Sequence, residues 1–346
     1  MQKPCKYGTH RVLSPVGVLP QAAYQLDNKM VPYENEILIE VTTLNIDSAS
    51  FTQIKEASNK NVEVMKEMIL AIVEERGKMQ NPVTGSGGML LGRVKQIGSL
   101  IKDDLKVGDE IASLVSLSLT PLKIHKILNI HIDKDQVDII GEAILFESGT
   151  YAKIPSDLPS LLVLSALDVA GAPAQVNKLV KTGNSVLILG AAGKSGLLTA
   201  YQARKSAGPT GNIIGIVSNM NKFEDMQKLN VYNHIILGDA RNPMEIYEKV
   251  LKANNGELVD VTINVVNVSN TEMTSILPTK DGGIVYFFSM ATSFTKAALG
   301  AEGIASEALM IIGNGYTKGH AEFTLNLFRE SKELYEIFMK RYGKEE

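Results

Sequence analysis

The sequence predicts an α/β protein in which a β-rich domain accompanies a doubly wound parallel sheet. Strand and helix patterns alternate between residues 177 and 316, at a spacing typical of parallel strands joined by helices. Before residue 177, strand patterns separated by glycine turns predominate. We therefore expect a β-rich domain formed by residues 1–176 and 317–346, and a parallel-sheet domain formed by residues 177–316.

The first segment contains three predicted strands and one predicted helix. Residues 36–41 mix charged and apolar side chains, residues 89–97 follow a glycine-rich stretch, and residues 107–112 form a turn that leads into a third strand. Residues 62–75 place apolar side chains on one stripe and are followed by Gly77, which indicates an amphipathic helix with a glycine stop.

The second segment alternates between the two element types. Its predicted strands are 186–189, 213–217, 234–237, 259–264 and 284–288, and the helices predicted between and after the first three are 195–206, 222–229 and 243–252. A further apolar run, 308–312, is strand-like, and residues 331–342 form a terminal amphipathic helix.

The glycines that follow the strand at 186–189 are the strongest functional signal. Gly190, Gly193 and Gly196 are spaced three apart between a strand and a helix. Glycine permits a tight turn and close approach of the backbone to a ligand, and a helix N-terminus offers unpaired N–H groups to an anion. The order predicts that a dinucleotide pyrophosphate is bound by Gly190, Gly193, Lys194, Ser195 and Gly196.

Two other interpretations of the same turn stay open. Gly193, Lys194 and Ser195 resemble the end of a P-loop, but the position five residues before Gly193 is Ile188, inside the strand, which leaves the loop short for a triphosphate. The turn is also compatible with a glycine-rich connection that binds nothing.

The end of the second predicted strand bears on the identity of the cofactor. Enzymes specific for NAD usually carry Asp or Glu there, whereas this chain has Ser218 and Asn219, with Lys222 nearby. We expect Ser218 and Asn219 to face the cofactor ribose. Such residues tolerate a 2′-phosphate, so NADP stays possible beside NAD.

Composition excludes several functions. Lys and Arg number 35 against 38 Asp and Glu, so a basic surface for nucleic acid or an anionic membrane is not expected. The single cysteine, Cys5, excludes an internal disulfide and a four-cysteine zinc site, and the five histidines lack ligand spacing. We expect a cytoplasmic protein without a bound metal, and no apolar run approaches the ~18 residues of a membrane-spanning helix.

Five short sequences stand in the order found in one superfamily: GRV at 92–94, VGDEI at 107–111, GTYAK at 149–153, GAAG at 190–193 and GGIV at 282–285. Together they resemble the medium-chain dehydrogenase/reductase superfamily. This resemblance implies a GroES-like catalytic domain, a Rossmann-type cofactor domain, and a homodimer or homotetramer, for which residues 308–312 are a plausible pairing edge.

A narrower resemblance covers nearly the whole chain. Its unusual sequences are those at 5–11, 45–55, 81–89, 287–296 and 313–320. They resemble the family of L-erythro-3,5-diaminohexanoate dehydrogenases, which implies NAD-dependent oxidative deamination to 5-amino-3-oxohexanoate, ammonia and NADH in anaerobic lysine fermentation. The alternatives are a zinc-free NAD(P)H quinone or enone reductase, a non-catalytic dinucleotide-binding protein, and oxidation of another amino acid.

Zinc-dependent members of the superfamily carry metal ligands in regions where this chain has residues 45–47, 85–87 and 168–170. Metal-free amine oxidation needs a carboxylate that binds an ammonium group and takes its proton. We predict Asp168, which stands in an apolar run, as the first candidate, with Glu147 and Asp47 as further ones. A structural cap or ion pair is the alternative role for each.

Three other residues are predicted to bind the substrate. Thr84 and Ser86 are placed to donate hydrogen bonds to its carboxylate, although their sequence also suits a plain turn. His320 follows Gly319 and is equally compatible with a structural histidine.

Overall fold

The computed structural model describes residues 4–343, which divide into two units. The first runs to Asp168 and includes Tyr342; the second is Val169–Arg341. The first unit contains these elements, together with 3₁₀ turns at Thr9–Arg11 and Leu117–Leu119: β1 (Val12–Ser14), β2 (Gln25–Leu26), β3 (Glu36–Asn45), α1 (Ser48–Ala57), α2 (Val62–Arg76), β4 (Met89–Ile97), β5 (Glu110–Ser113), β6 (Leu122–His131), β7 (Gln136–Phe146), β8 (Tyr151–Lys153) and α3 (Ser160–Leu167).

The first unit is organised around an antiparallel six-stranded sheet with the order β6-β7-β3-β4-β5-β8. Apolar side chains of β3 and β7 share one buried cluster with those of α1 and α2, among them Ile39, Phe51, Met65 and Val137. At the end of β3, Asn45 lies opposite Gln136 of β7 on one side and Met89 of β4 on the other. The predicted strands and helix of this unit are confirmed.

The sequence did not reveal β6 and β7. Their pairing shifts register between Ile124 and Lys126 and again between Ile127 and Asn129. Each irregularity changes which face the following side chains occupy, so β6 lacks the strict apolar–polar alternation by which a strand is recognised. α1 was also missed, because its start depends on capping by Asp47 rather than on an apolar stripe.

The second unit contains the remaining elements: α4 (Gly171–Leu179), β9 (Ser185–Leu189), α5 (Lys194–Ala207), β10 (Asn212–Val217), α6 (Phe223–Leu229), β11 (His234–Leu237), α7 (Pro243–Ala253), β12 (Val259–Asn264), α8 (Glu272–Ile276), β13 (Thr279–Phe287), α9 (Phe294–Gly303), β14 (Leu309–Ile312), α10 (His320–Glu330) and α11 (Lys332–Tyr342, whose last residue falls in the first unit). Every strand and helix predicted in this region is present.

All strands of the second sheet are parallel, in the order β11-β10-β9-β12-β13-β14. The chain leaves β9 toward β10 and β11 and then crosses to the other side for β12, β13 and β14. The order therefore reverses between β9 and β12, and ligands of doubly wound folds bind at the carboxyl ends of the strands beside such a reversal. The predicted fold class is confirmed.

The two units divide at places other than those expected from the sequence. Residues 169–176 and 317–341 belong to the second unit, because α4 and α10 pack on each other and on α5. Gly171 lies so close to the 315 backbone that a Cβ there would be 2.3 Å from the Gly315 carbonyl oxygen. The Thr324 hydroxyl donates to the Ala170 carbonyl at 3.1 Å.

Among residues 4–343, no helix has both the length and the apolar character needed to cross a lipid bilayer.

Candidate functional site

The predicted cofactor turn connects β9 to α5. Gly190 adopts a left-handed conformation with φ of 83°, and its carbonyl accepts a hydrogen bond from the Gly193 N–H at 3.0 Å. A Cβ on Gly196 would lie 2.3 Å from the Gly190 carbonyl oxygen, so only glycine lets the first turn of α5 pack against the loop. The backbone itself therefore favours glycine at position 190 and requires it at position 196.

The N-terminus of α5 begins without a side-chain cap. Gly193 occupies the N-cap position, and no side chain accepts from the first turn of the helix. Gly193, Lys194 and Ser195 are half-buried rather than enclosed. First-turn N–H groups and the positive end of the helix dipole form a fitting site for a pyrophosphate. The residues present thus fit a dinucleotide.

Gly193 differs from Gly196 in its surroundings. Its φ is −75°, and a Cβ there would meet only the Gly190 carbonyl oxygen, at 3.3 Å. The fold tolerates a small side chain at Gly193 far better than at Gly196. A need for glycine at Gly193 therefore comes from close approach of a ligand rather than from backbone strain.

The residues predicted to face the ribose follow β10, which pairs with β9. Ser218 and Asn219 are both exposed. The Asn219 amide donates to the Ser218 hydroxyl at 3.4 Å and accepts from the Asn221 N–H at 3.1 Å. No carboxylate occurs between residues 218 and 222, so this position carries no negative charge against a 2′-phosphate.

In the first unit, three buried polar side chains form a row at the end of β3. The Gln136 amide donates to Asn45 Oδ1 at 3.4 Å and to Ser165 Oγ at 3.1 Å. All three residues are fully buried. Asn45 Nδ2 and Gln136 Oε1 have no hydrogen-bond partner within residues 4–343. We call Asn45, Gln136 and Ser165 the polar row.

Asp47 lies two residues beyond the polar row and caps α1. Its Oδ1 accepts from the Ser50 N–H at 3.1 Å, while its Oδ2 is buried and has no partner in the described part of the chain. The Ser50 hydroxyl shares a 2.6 Å hydrogen bond with the Thr84 hydroxyl, which also accepts from the Ser86 N–H at 3.4 Å. The structure thus brings Asp47, Thr84 and Ser86 together.

Asp168 lies close in the chain to one member of the polar row. It ends α3, its N–H donates to the Leu164 carbonyl at 3.2 Å, and it is half-buried. Ser165 of the polar row precedes it by three residues, about 4.5 Å of helical rise. Asp47 and Asp168 are therefore each two or three residues from a member of the same row.

Glu147 is placed elsewhere in the first unit. It is exposed and follows Phe146, the last residue of β7, whereas Gln136 is the first residue of that strand. The length of β7 separates the two positions by roughly 33 Å. The structure does not bring Glu147 together with Asp47 or Asp168.

His320 is the first residue of α10 in the second unit and is buried. Its Nδ1 lies 2.8 Å from the Thr317 carbonyl oxygen, to which it donates, and its ring meets that of Tyr316 edge-on. Burial lowers the pKa of His320, although the bond to Thr317 opposes this shift. The neutral ring is held by local contacts, which fits a structural histidine.

Gln136 and Ser165 were not found from the sequence. Gln136 is 91 positions from Asn45 and 29 from Ser165, and each lies in an ordinary strand or helix pattern. Strand pairing places Gln136 beside Asn45, and the packing of α3 brings Ser165 to Gln136. Among residues 4–343, no three His, Cys, Asp or Glu side chains are grouped so as to hold a metal ion.

Comparison with known sequences identifies close relatives. The family model described as the L-erythro-3,5-diaminohexanoate dehydrogenase N-terminal domain matches residues 10–155. The chain is 58% identical over 342 residues to the L-erythro-3,5-diaminohexanoate dehydrogenase of Acetoanaerobium sticklandii, covering 98% of this chain and 99% of that protein. It is 59% identical over 344 residues to the enzyme of the same name from Fusobacterium nucleatum subsp. nucleatum, covering 99% and 100%.

Solved structures share the fold at low identity. A quinone oxidoreductase from Coxiella burnetii superposes with a TM-score of 0.57 at 17% identity, covering 90% of this chain and 84% of that one. The Escherichia coli quinone oxidoreductase complexed with NADPH gives 0.54 at 17% identity, covering 86% and 80%. At such identities the likeness shows the fold alone.

Proposed function

Since this chain belongs to the L-erythro-3,5-diaminohexanoate dehydrogenase family, we propose that it catalyses the NAD-dependent oxidative deamination of L-erythro-3,5-diaminohexanoate. The products are 5-amino-3-oxohexanoate, ammonia and NADH. The observation that carries this proposal is the identity of 58% across 98% of this chain and 99% of a relative of that name. The glycine turn before α5 supplies the site for a dinucleotide.

The reaction sets clear demands on the protein. The ammonium group at C3 must lose a proton before hydride leaves that carbon, and the resulting imine must take up water to release ammonia. The turn before α5 would hold a nicotinamide dinucleotide, which would supply the hydride acceptor. The chain supplies positioning and proton transfer, for which a partly buried carboxylate is suited.

We assign this work to the carboxylates near the polar row. Asp47 has one oxygen committed to the cap of α1 and a second, buried oxygen without a partner in residues 4–343. An ammonium group would satisfy that oxygen by a charge-assisted hydrogen bond. Asp168 is the second carboxylate of this region, so the two substrate ammonium groups have two acidic residues to meet. Glu147 lies at the other end of β7, and we do not assign it a part in substrate binding or proton transfer.

The substrate carboxylate needs hydrogen-bond donors. The Thr84 hydroxyl, which is joined to the α1 cap through Ser50, and the Ser86 hydroxyl are our candidates. His320 already uses Nδ1 for Thr317 and is a weaker candidate.

The cofactor is a nicotinamide dinucleotide, and we propose NAD because of the family resemblance. The residues after β10 do not by themselves select NAD, since Ser218 and Asn219 offer no carboxylate to the ribose. A comparison of kcat/KM for NAD and NADP tests this choice.

We further propose a cytoplasmic homodimer or homotetramer that acts in anaerobic lysine fermentation. The strand β14 pairs with β13 and ends the order of the second sheet. Its Leu309 and Ile312 are 59% and 65% exposed, which suits an edge that is covered by a second copy. Light scattering at micromolar concentration checks the assembly, and a monomer would contradict it.

The proposed activity is tested with purified protein, NAD and L-erythro-3,5-diaminohexanoate. We expect NADH and ammonia to form in equal amounts, measured by the absorbance of the reduced nicotinamide and by an ammonia assay. 3-Aminohexanoate, which lacks only the amino group at C5, is the matched control substrate and should react far more slowly. Failure to oxidise the diamine, together with rapid reduction of a quinone by NADPH, would overturn the proposal.

A further inference from the structure

Two consecutive carbonyl groups of the cofactor turn accept hydrogen bonds from side chains outside the glycine motif. The Tyr232 hydroxyl donates to the Ala191 carbonyl at 2.8 Å. The Arg341 guanidinium donates through Nη1 to the Ala192 carbonyl at 2.9 Å. Arg341 belongs to α11 and is 149 positions away from Ala192. The turn is therefore held by residues that no local motif contains.

Arg341 is itself held firmly. Its Nε and Nη2 donate to Asp225 Oδ2 at 2.9 and 2.6 Å. Both side chains are nearly enclosed, with 10% of Arg341 and 12% of Asp225 exposed. Burial opposes the charged form of Asp225, but the hydrogen bonds and charge of Arg341 outweigh it and lower the pKa of this carboxyl. Asp225 thus fixes the direction in which the remaining Arg341 donor points.

Fixing these carbonyls constrains the backbone that receives the ligand. A trans peptide group is planar, so the direction of a carbonyl fixes the whole plane and the N–H of the next residue. The planes held by Tyr232 and Arg341 contain the N–H groups of Ala192 and Gly193, and Gly193 is the residue directly before Lys194, where α5 begins. A site that holds its bound conformation before binding loses less entropy when the ligand arrives.

We propose that Arg341, oriented by Asp225, is a positioning residue that holds the 191–193 backbone in the conformation that binds the dinucleotide pyrophosphate. The affinity of the second unit for its cofactor then depends on α11, the last helix within residues 4–343. This inference rests on the proposed binding of a dinucleotide at this turn. It does not depend on which amine the protein oxidises.

The chain offers a matched control in the adjacent residue. Lys340 lies on the same helix and also contacts Asp225, at 3.3 Å, but its side chain is 69% exposed. Lys340→Gln removes one positive charge from α11 and one contact to Asp225 and leaves the bond to the Ala192 carbonyl in place. A difference between Arg341→Gln and Lys340→Gln therefore reports on the turn rather than on net charge.

The experiment measures the Kd of NADH by titration calorimetry for the wild type, Arg341→Gln, Arg341→Lys, Asp225→Asn and Lys340→Gln. We expect Arg341→Gln to raise the Kd on the order of tenfold, the loss of one well-oriented hydrogen bond to a charged donor. Arg341→Lys keeps a charged donor, so its Kd should rise less than that of Arg341→Gln. The Kd of Asp225→Asn should lie between those of Arg341→Lys and Arg341→Gln. Lys340→Gln should stay within about twofold of the wild type.

A second readout separates positioning from general stability. In steady-state assays, the Arg341→Gln effect should appear in the KM for the dinucleotide more than in kcat, and melting temperature is recorded for every variant. Equal effects of Arg341→Gln and Lys340→Gln, or a lower melting temperature with unchanged NADH affinity, would overturn the inference. So would a wild type that does not bind NADH. If NADH binding follows the expected order but the diamine is not oxidised, the inference stands and the proposed activity fails.

Discussion

The cofactor turn and the polar row are built in different ways. The turn is a continuous stretch, residues 190–196. Its conformation calls for glycine at positions 190 and 196. The polar row takes Asn45 from β3, Gln136 from β7 and Ser165 from α3, and its neighbours come from two further segments. A local backbone motif can be recognised in a sequence, whereas a site assembled by strand pairing cannot.

The two regions also offer opposite chemistry. At the turn, backbone N–H groups and a helix dipole favour an anion. Near the polar row, the carboxylates of Asp47 and Asp168 favour a cationic group such as an ammonium. Within residues 4–343, the Gln136 amide oxygen is an acceptor without a partner and Asn45 Nδ2 is a donor without one. A dinucleotide and a diamino acid match this difference, and the predictions on the carboxylates and on Gly193 each test one side of it.

The largest expected effect is the loss of kcat/KM when the carboxylate of Asp168 or Asp47 is replaced. Asp168→Asn and Asp47→Asn keep side-chain shape, and Asn also serves as a helix N-cap at position 47. Loss of a charge-assisted bond that acts in the transition state should cost roughly 2–4 kcal/mol, or about two to three decades of kcat/KM for the diamine. The Kd of NADH should barely change. Steady-state kinetics and titration calorimetry provide the two measurements.

Glu147→Gln is the control for this prediction, because Glu147 is exposed at the opposite end of β7. It should behave as the wild type. A stable Asp168→Asn or Asp47→Asn variant with normal turnover would remove that residue from the site. A lower melting temperature with nearly normal turnover would assign it a structural role instead.

A smaller effect is expected on the cofactor side. Gly193→Val places a branched side chain where the pyrophosphate must approach the backbone, while the nearest atom of the fold to a Cβ there is 3.3 Å away. We expect the Kd of NADH to rise by about tenfold to a hundredfold, roughly 1.4–2.7 kcal/mol, with a small change in melting temperature. Gly193→Ala is the matched, milder variant. Unchanged affinity in Gly193→Val would place the cofactor elsewhere.

The smallest effect concerns a buried charge near the loop that carries Thr84. Lys78 is fully buried, and its Nζ donates to the Pro20 and Gln21 carbonyls at 2.7 and 3.2 Å. Desolvation, with a contribution from Arg76, lowers the pKa of Lys78 from 10.5 to about 8. Between these values the unfolded chain binds more protons than the folded chain, so this group makes stability rise with pH.

The slope from Lys78 is at most about 1.4 kcal/mol per pH unit and is confined to the range between about 8 and 10.5. Urea unfolding of the wild type and of Lys78→Met at several pH values in this range isolates it. As pH rises, the free energy of unfolding of the wild type should increase relative to that of Lys78→Met. A difference that is independent of pH would show that the Lys78 ammonium is not desolvated as described.

Much of the second unit was predictable, because its strands are short apolar runs between helices and its turn contains its own glycines. The first unit was less so. Register shifts between β6 and β7 interrupt the alternation of apolar and polar residues by which a strand is recognised. Gln136 has no local sequence feature that marks it as part of a site. Of the three predicted carboxylates, the strand directions place Asp47 and Glu147 at opposite ends of the sheet. Asp168 follows α3, whose Ser165 bonds to Gln136 near Asp47.

The fold class, the glycine turn before α5 and the family could all be predicted from the sequence, since each depends on side-chain type and spacing over short stretches. Which polar groups meet could not, because pairing of β3 with β7 and packing of α3 join residues far apart in the chain. The tertiary structure also decided that α4, α10 and nearly all of α11 lie with the second unit, which brings Arg341 to the Ala192 carbonyl. Such contacts depend on where whole elements pack, and no local pattern encodes that.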